Sequence, residues 1–232
     1  MTEELRYQVA GLCVLAFLAA QVFQEVAYRF LIPAAQKPEE ELANYLRPAD
    51  RLRAILVGGS ILLLVVPYIT IALRYRAQAP VASVLGLVFG LAFVGCEIAH
   101  RSLEFFLVGD RWASRLSQAS DSERATILDR FAAWGDISRA WYFPLLLAHF
   151  LASCCFLAAM SAEGESLRWQ ALGPAAFALN AIRLVGRLAS MFAGQKWLDA
   201  LNHRLYFPAV VVINALLASW FFALARHVAQ AG

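Results

Sequence analysis

Four ionisable side chains inside an otherwise apolar run, residues 81–107, are the clearest candidates for chemistry in this chain. Glu97, His100, Arg101 and Glu104 follow one another at positions i, i+3, i+4 and i+7, which places them on one face of an α-helix. A carboxylate beside an imidazole is a combination that general acid–base catalysis uses. Glu97 and Glu104 are therefore candidate general bases, and His100 is their candidate proton partner.

Polar side chains recur on four other apolar runs, always toward the same end of the predicted helix. Arginine matches the geometry of carboxylate and phosphate groups, so these side chains are candidates for holding an anionic or amphiphilic small molecule. The candidate ligand-binding residues are Glu25, Arg139, Tyr142, Asn180, Arg183, Arg187 and His203. Because the polar groups of five helices lie at a similar depth, we expect them to line a polar vestibule near one leaflet.

The elements that carry these residues are membrane spans. The 232 residues are 61% hydrophobic and only 16% charged, well outside the composition of soluble domains. Six runs are long enough to cross about 30 Å of hydrocarbon, and we number them as spans 1 to 6: residues 7–32, 52–73, 81–107, 138–160, 168–193 and 205–226. The sequence predicts an all-α, polytopic bundle of six transmembrane helices, with residues 1–232 forming a single domain.

Loops 1 and 3 each contain a pattern typical of a short interfacial helix. In loop 1, Pro38 is followed by three glutamates, which is a helix-start signature. In loop 3, Ser120 and Glu123 form a capping-box pattern, and apolar residues follow at helical spacing. We expect the loop 3 helix to be amphipathic, to lie on the membrane surface and to run toward span 4. A tight turn is predicted at Glu163–Glu165.

The charges favour one orientation in the membrane. Loops 1, 3 and 5 share one face, here called the odd-loop face, and that half of the chain holds 15 of the 20 Lys and Arg residues. The positive-inside rule then places these loops in the cytoplasm of a cell-membrane protein. The net charge of +3 comes without a polybasic block, so nucleic acid is not indicated as a partner.

No metal or cofactor is predicted. Glu97-x-x-His100 is one copy of a carboxylate–imidazole pair that di-iron bundles use twice, and Asp199-x-x-x-His203 would add two ligands from another helix. The second copy is absent, and the sequence indicates no other cofactor.

The chain resembles an uncharacterised family of bacterial six-helix integral membrane proteins, a domain of unknown function. The motifs that carry the resemblance are Leu31-Ile-Pro33, the acidic loop 1 helix, residues 46–53 running into Gly58-Gly59, the arginine-bearing turn before span 3, and Leu172-Gly-Pro174. The resemblance implies a six-helix fold and brings no activity and no site residues with it.

Three functions fit these patterns. The first is a vestibule that binds, or also chemically alters, an amphiphilic or anionic small molecule taken from the lipid bilayer. The second is a non-catalytic accessory or sensor subunit. The third is proton-coupled or anion transport, for which six short spans would need a homodimer. Spans 2 and 6 show no pattern of broken helices, which speaks against transport.

Overall fold

The computed structural model describes residues 2–162, 168–193 and 196–231, and every regular element in those ranges is helical. Six helices are long and apolar enough to cross a membrane: Glu3–Leu31, Pro48–Tyr75, Pro80–Leu116, Asp121–Ser161, Trp169–Phe192 and Trp197–Gln230. They coincide with the six predicted spans and keep their numbers. The chain is a multi-pass, all-α membrane protein, as predicted.

Local sequence explains where the helices begin. The Thr2 side chain accepts a hydrogen bond from the Leu5 amide at 3.3 Å and caps span 1. Proline occupies the first position of the loop 1 helix, Pro38–Asn44, and of spans 2 and 3, where its missing N–H would have had no helical partner. The short helix predicted in loop 1 is confirmed. The turn predicted at Glu163–Glu165 lies outside the described residues.

The helix predicted in loop 3 is present, but it is the first part of span 4. Ser120 and Glu123 form the expected capping box, and one helix then runs from Asp121 to Ser161. Its 41 residues are about 60 Å long, roughly twice the thickness of the hydrocarbon. On the odd-loop face, span 3 continues past its predicted end to Leu116, and span 6 begins before its predicted start, at Trp197. The apolar run marks only the part of each helix that meets lipid.

The extended helix ends form a second hydrophobic cluster on the odd-loop face. It joins the loop 1 helix, the end of span 3 and the start of span 4, and its buried members are Leu42, Val108, Ala113, Leu116, Ile127, Phe131 and Trp134. Tyr45 packs edge-on against Phe131, with the ring centroids 6.3 Å apart. Burial raises the pKa of the Tyr45 phenol, which therefore stays protonated. We call these seven buried residues the odd-face cluster.

The six spans form a closed ring. Each span packs against its neighbours in the sequence, and span 6 packs back against span 1. Because consecutive spans are antiparallel, loops 1, 3 and 5 all meet at the odd-loop face. This arrangement leaves space along the axis of the ring, and its walls are the inward faces of all six helices.

Aromatic side chains fill the axis at the even-loop end. Tyr68 stacks on Phe156 at 5.6 Å, and Phe156 packs against Phe177 at 5.4 Å. Span 3 accommodates them through two glycines, because a Cβ on Gly86 or Gly90 would lie 2.7 Å from the ring of Phe156 or Tyr68. Tyr68, Phe156 and Phe177, here called the aromatic floor, close the ring on that side.

The outer surface of the ring is apolar, as a lipid environment requires. Large hydrophobic side chains more than half exposed occur on spans 1, 2, 3 and 5, including Leu12, Ile55, Val81, Val84, Val88 and Ile182. Water would not stabilise so large an apolar surface, whereas hydrocarbon does. The exposed face therefore supports the assignment of the six helices to a bilayer.

The continuity of span 4 can be tested at Gly135, which is exposed and where an added Cβ would have no neighbour within 4 Å. In an unbroken helix, Gly135→Ala should raise the free energy of unfolding by about 1 kcal/mol, because alanine has the higher helix propensity. The measurement is thermal unfolding of the purified protein. An unchanged or lower melting temperature would show that the helix is interrupted there.

Candidate functional site

A cavity of about 690 Å³ occupies the axis of the ring. All six spans contribute to its wall, and on span 6 the lining residues run from Asn202 to Leu217, a depth of about 22 Å. The volume is within the range of sites that bind small molecules, about 300–1,000 Å³. The cavity lies on the odd-loop side of the aromatic floor.

The wall of the cavity changes from polar to apolar along its depth. Toward the odd-loop face it is lined by Gln21, Gln24, Glu25, Arg29, Glu97, Arg101, Glu104, Asn180, Arg183, Arg187, His203 and Arg204. Toward the even-loop end most of the lining is apolar, from Phe17, Ile61, Leu64, Phe93, Leu145, Phe177, Ile213 and Leu217, and His149 and Asn214 add polar groups. The cavity thus has the amphipathic profile of a lipid-like molecule.

The structure brings most of the sequence-predicted site residues to this wall. Those that line the cavity are Glu25, Glu97, Glu104, Tyr142, Asn180, Arg183, Arg187 and His203. Two candidates, His100 and Arg139, lie outside the described wall. Arg139 lies on span 4 and is exposed.

His100 faces span 4 and not the cavity. Its ring is 1% exposed, and Nε2 lies 2.8 Å from the Ser138 hydroxyl. The imidazole also stacks on Trp134 at 5.6 Å and contacts Tyr142 at 5.0 Å. Among the described residues, nothing hydrogen-bonds its Nδ1. These contacts join spans 3 and 4 and do not connect His100 to the glutamates.

Arg101 holds both candidate bases. Its Nε donates to Glu97 at 3.0 Å and a terminal nitrogen donates to Glu104 at 2.8 Å. The three side chains are between 10% and 17% exposed, so the ion pairs are well shielded. The stripe that was predicted to supply a base is an ion-paired triad, and its net charge is −1. In this arrangement neither carboxylate is unpaired.

Arg53 and Asp50 form a buried ion pair that the sequence analysis missed. Arg53 Nε donates to Asp50 at 2.7 Å, and both side chains are less than 10% exposed. The guanidinium also lies 4.7 Å over the ring of Tyr28 and reaches Gln24 at 3.4 Å, which ties span 2 to span 1. The i, i+3 spacing of opposite charges before an apolar run was the available signal.

Arg183 lies near the middle of span 5 and has an amide for a partner. Its Nε and one terminal nitrogen donate to Asn180 Oδ1 at 3.2 and 3.0 Å, and its guanidinium lies 5.6 Å over the ring of Tyr206. Asn180 in turn donates to Ser153 at 2.8 Å and contacts His149 Nε2 at 2.9 Å. His149 is thus a hydrogen-bonded histidine on the cavity wall, and the network fixes the orientation of Arg183.

The charges are divided between two sides of the cavity. Spans 1 and 3 carry its acidic side chains, and each of them is paired on its own helix: Glu25 with Arg29, and Glu97 and Glu104 with Arg101. Spans 5 and 6 contribute arginines to the wall: Arg183, Arg187 and Arg204. Of these, Arg187 lies 3.6 Å from Asp199 at an exposed position. One side of the cavity is therefore net positive.

Three helical irregularities border the cavity. Span 2 has a one-residue interruption of its regular helix at Leu64, three residues before Pro67, but the backbone stays in the right-handed helical region and the span runs as one helix from Pro48 to Tyr75. Span 1 ends in a π-helical segment, Ala27–Leu31, and span 3 continues as one, Leu103–Ala113. Span 6 is continuous through Pro208, as predicted. Segments of π-helix are frequent at functional sites.

Within the described residues, no three His, Cys, Asp or Glu side chains lie close enough together to hold a metal ion. Comparisons with protein families, with curated proteins and with solved structures find no match for the chain. The resemblance to an uncharacterised bacterial six-helix family therefore stays a prediction.

The importance of Arg101 can be tested by Arg101→Leu. The substitution leaves Glu97 and Glu104 shielded and unpaired, so it should lower the free energy of unfolding by about 3 kcal/mol. Thermal unfolding in one detergent measures the change. The matched control is Arg29→Leu, whose side chain is 64% exposed and whose loss should change stability by less than about 1 kcal/mol. Equal effects of the two substitutions would contradict the assignment.

Proposed function

We propose that this protein binds an amphiphilic small molecule in the cavity, which it takes from the leaflet at the odd-loop face. The observation that carries the proposal is the profile of the cavity, polar toward that face and apolar above the aromatic floor. An amphiphile placed with its polar group among the arginines and its apolar part below would match both regions. The lining residues Arg29, Arg187 and Arg204 are exposed, so a molecule from that leaflet would enter the cavity at the odd-loop face.

Binding fits the site better than catalysis. A general base must be able to take a proton, and both candidate carboxylates are hydrogen-bonded to Arg101. The candidate proton partner, His100, bonds Ser138 instead. Chemical alteration of the ligand would need another group, and the described wall offers His149 and His203 as its imidazoles.

Transport of the same molecule is the second candidate, and the interruption of span 2 at Leu64 favours it. Leu64 lines the cavity and Pro67 follows it, a combination found where membrane helices change shape. Transport would require the aromatic floor to open. Uptake of an anionic amphiphile into the lumen of proteoliposomes, with protein-free liposomes as the control, separates transport from binding alone.

A cavity-filling substitution tests the proposal. Ile213 lines the cavity and is 9% exposed, so Ile213→Trp should fill part of the space and weaken binding of dansyl-undecanoate at least tenfold. The measurement is dansyl emission with the protein in nanodiscs, with protein-free nanodiscs as background. The control is Val212→Trp on the same helix, where the native side chain is 48% exposed to lipid and binding should not change. If wild-type protein leaves dansyl emission at background, the proposed function is wrong.

We also propose that the odd-loop face is cytoplasmic, on the strength of its 15 Lys and Arg residues. In a variant whose four cysteines are alanine, single cysteines are placed at Ser117 in loop 3 and at Gln78 in loop 2, both exposed. A membrane-impermeant maleimide should label intact cells carrying Gln78→Cys and spare Ser117→Cys. The reverse labelling pattern would invert the orientation.

A further inference from the structure

We infer that Arg183 is the anchor for the anionic head of a single-chain amphiphile, a carboxylate or a phosphate, whose chain extends from there to the aromatic floor. This inference rests on the proposed function and adds the class of ligand, its contact and its direction. Arg183 is about 21 Å from the start of span 5 at Trp169 and about 14 Å from its end at Phe192, so it lies within the bilayer, nearer the odd-loop face.

An arginine at that depth needs compensation for its charge. The other arginines at the cavity obtain it from acids or from the odd-loop face: Arg29 pairs with Glu25, Arg101 with two glutamates, and Arg204 is exposed. Within the described ranges, no carboxylate lies within 4.0 Å of the Arg183 guanidinium. Its hydrogen-bond partner is the neutral Asn180. An anionic ligand would supply the missing negative charge.

The geometry of Arg183 is suited to one particular contact. A guanidinium has five N–H donors, and Asn180 Oδ1 takes two of them, from Nε and one terminal nitrogen. Three N–H donors are left, on the two terminal nitrogens. They form the end-on fork that binds two oxygens of a carboxylate or phosphate. Tyr206 beneath the plane and Asn180 at the edge hold this fork in place, so little ordering remains to be done on binding.

The space below Arg183 suits one hydrocarbon chain. On span 5, Ala176 lines the cavity seven residues before Arg183, which is about 10 Å deeper. The wall at that depth is apolar and ends at Tyr68 and Phe177. A cavity of about 690 Å³ is too small to enclose a two-chain phospholipid. A chain of medium length would reach the aromatic floor while its head stays on Arg183.

The test is displacement of dansyl-undecanoate from the protein in nanodiscs by dodecanoate, dodecyl phosphate and dodecanol, compared at equal free aqueous concentration. The two anions should bind about 10–100-fold more tightly than the alcohol, which is the range of hydrogen bonds to a charged group. The stronger of the two anions identifies the head as carboxylate or phosphate. Equal displacement by dodecanol would overturn the inference and leave the proposed function standing, whereas no binding of the dansyl probe removes both.

Variants then locate the head. Arg183→Gln should weaken the binding of both anions about 10–100-fold. The affinity for dodecanol should stay within about twofold of the wild-type value, which also shows that the variant is folded. Arg183→Lys keeps the positive charge but lacks the paired N–H donors of the guanidinium. Its affinity for the anions should therefore lie between those of the wild type and Arg183→Gln. Arg187→Gln removes the other span 5 arginine of the wall, at an exposed position, and should weaken binding of the anions less than Arg183→Gln does. A larger effect at Arg187 than at Arg183, or an equal loss of anion and alcohol binding in Arg183→Gln, would overturn the anchor.

A second pair of variants locates the chain. Ala176→Phe places a ring in the deep end of the cavity, beside the aromatic floor. It should weaken the binding of dodecanoate at least tenfold more than the binding of octanoate, whose chain is shorter. The matched control is Leu179→Phe, which places the same ring on the lipid-facing side of span 5, where the native side chain is 41% exposed. If Ala176→Phe affects both chain lengths equally, the chain does not run toward the aromatic floor, and the stated direction is wrong.

Discussion

The cost of a charged side chain in hydrocarbon governs this structure. A guanidinium or carboxylate within a bilayer must pair, meet water or reach the interface, and none of these is available on the lipid-facing side of a helix. The inward faces of spans 1, 3, 5 and 6 therefore carry acids and arginines, and the closed ring keeps these faces away from lipid. Arg101 with its two glutamates, and Arg53 with Asp50, meet the requirement internally.

The same constraint explains why the two ends of the ring differ. At the even-loop end the packed groups are rings, and glycines at Gly86 and Gly90 let them close the axis. At the odd-loop end the wall carries ion-paired side chains in place of packed rings. The cavity lies between these two ends, and most of its charged side chains are on the odd-loop side.

The sequence was sufficient to predict the spans and most of the residues that line the cavity. Apolar runs indicate which segments contact lipid, and helical spacing indicates which residues share a face of a helix. It was not sufficient where a helix leaves the bilayer: the start of span 4 has ordinary composition, so it looked like a loop helix. Helical spacing also does not show how a helix is rotated about its own axis in the bundle. Glu97 and His100 share a stripe, yet they are 60° apart, and packing turned one toward the axis and the other toward Ser138. Asp50 and Arg53 stand at the start of span 2. Their i, i+3 spacing indicates an ion pair, but it does not indicate that the pair is buried.

The length of span 4 has a mechanical consequence. Pro144 cannot donate a hydrogen bond to the carbonyl of Ala140, so the helix is least restrained beside Tyr142 and Leu145, at the cavity wall. From Pro144 to Asp121 the helix is about 35 Å long, and a tilt of about 5° at the proline would displace its outer end by about 3 Å. For any given change of angle at Pro144, the geometry would thus move the odd-face cluster further than the cavity wall.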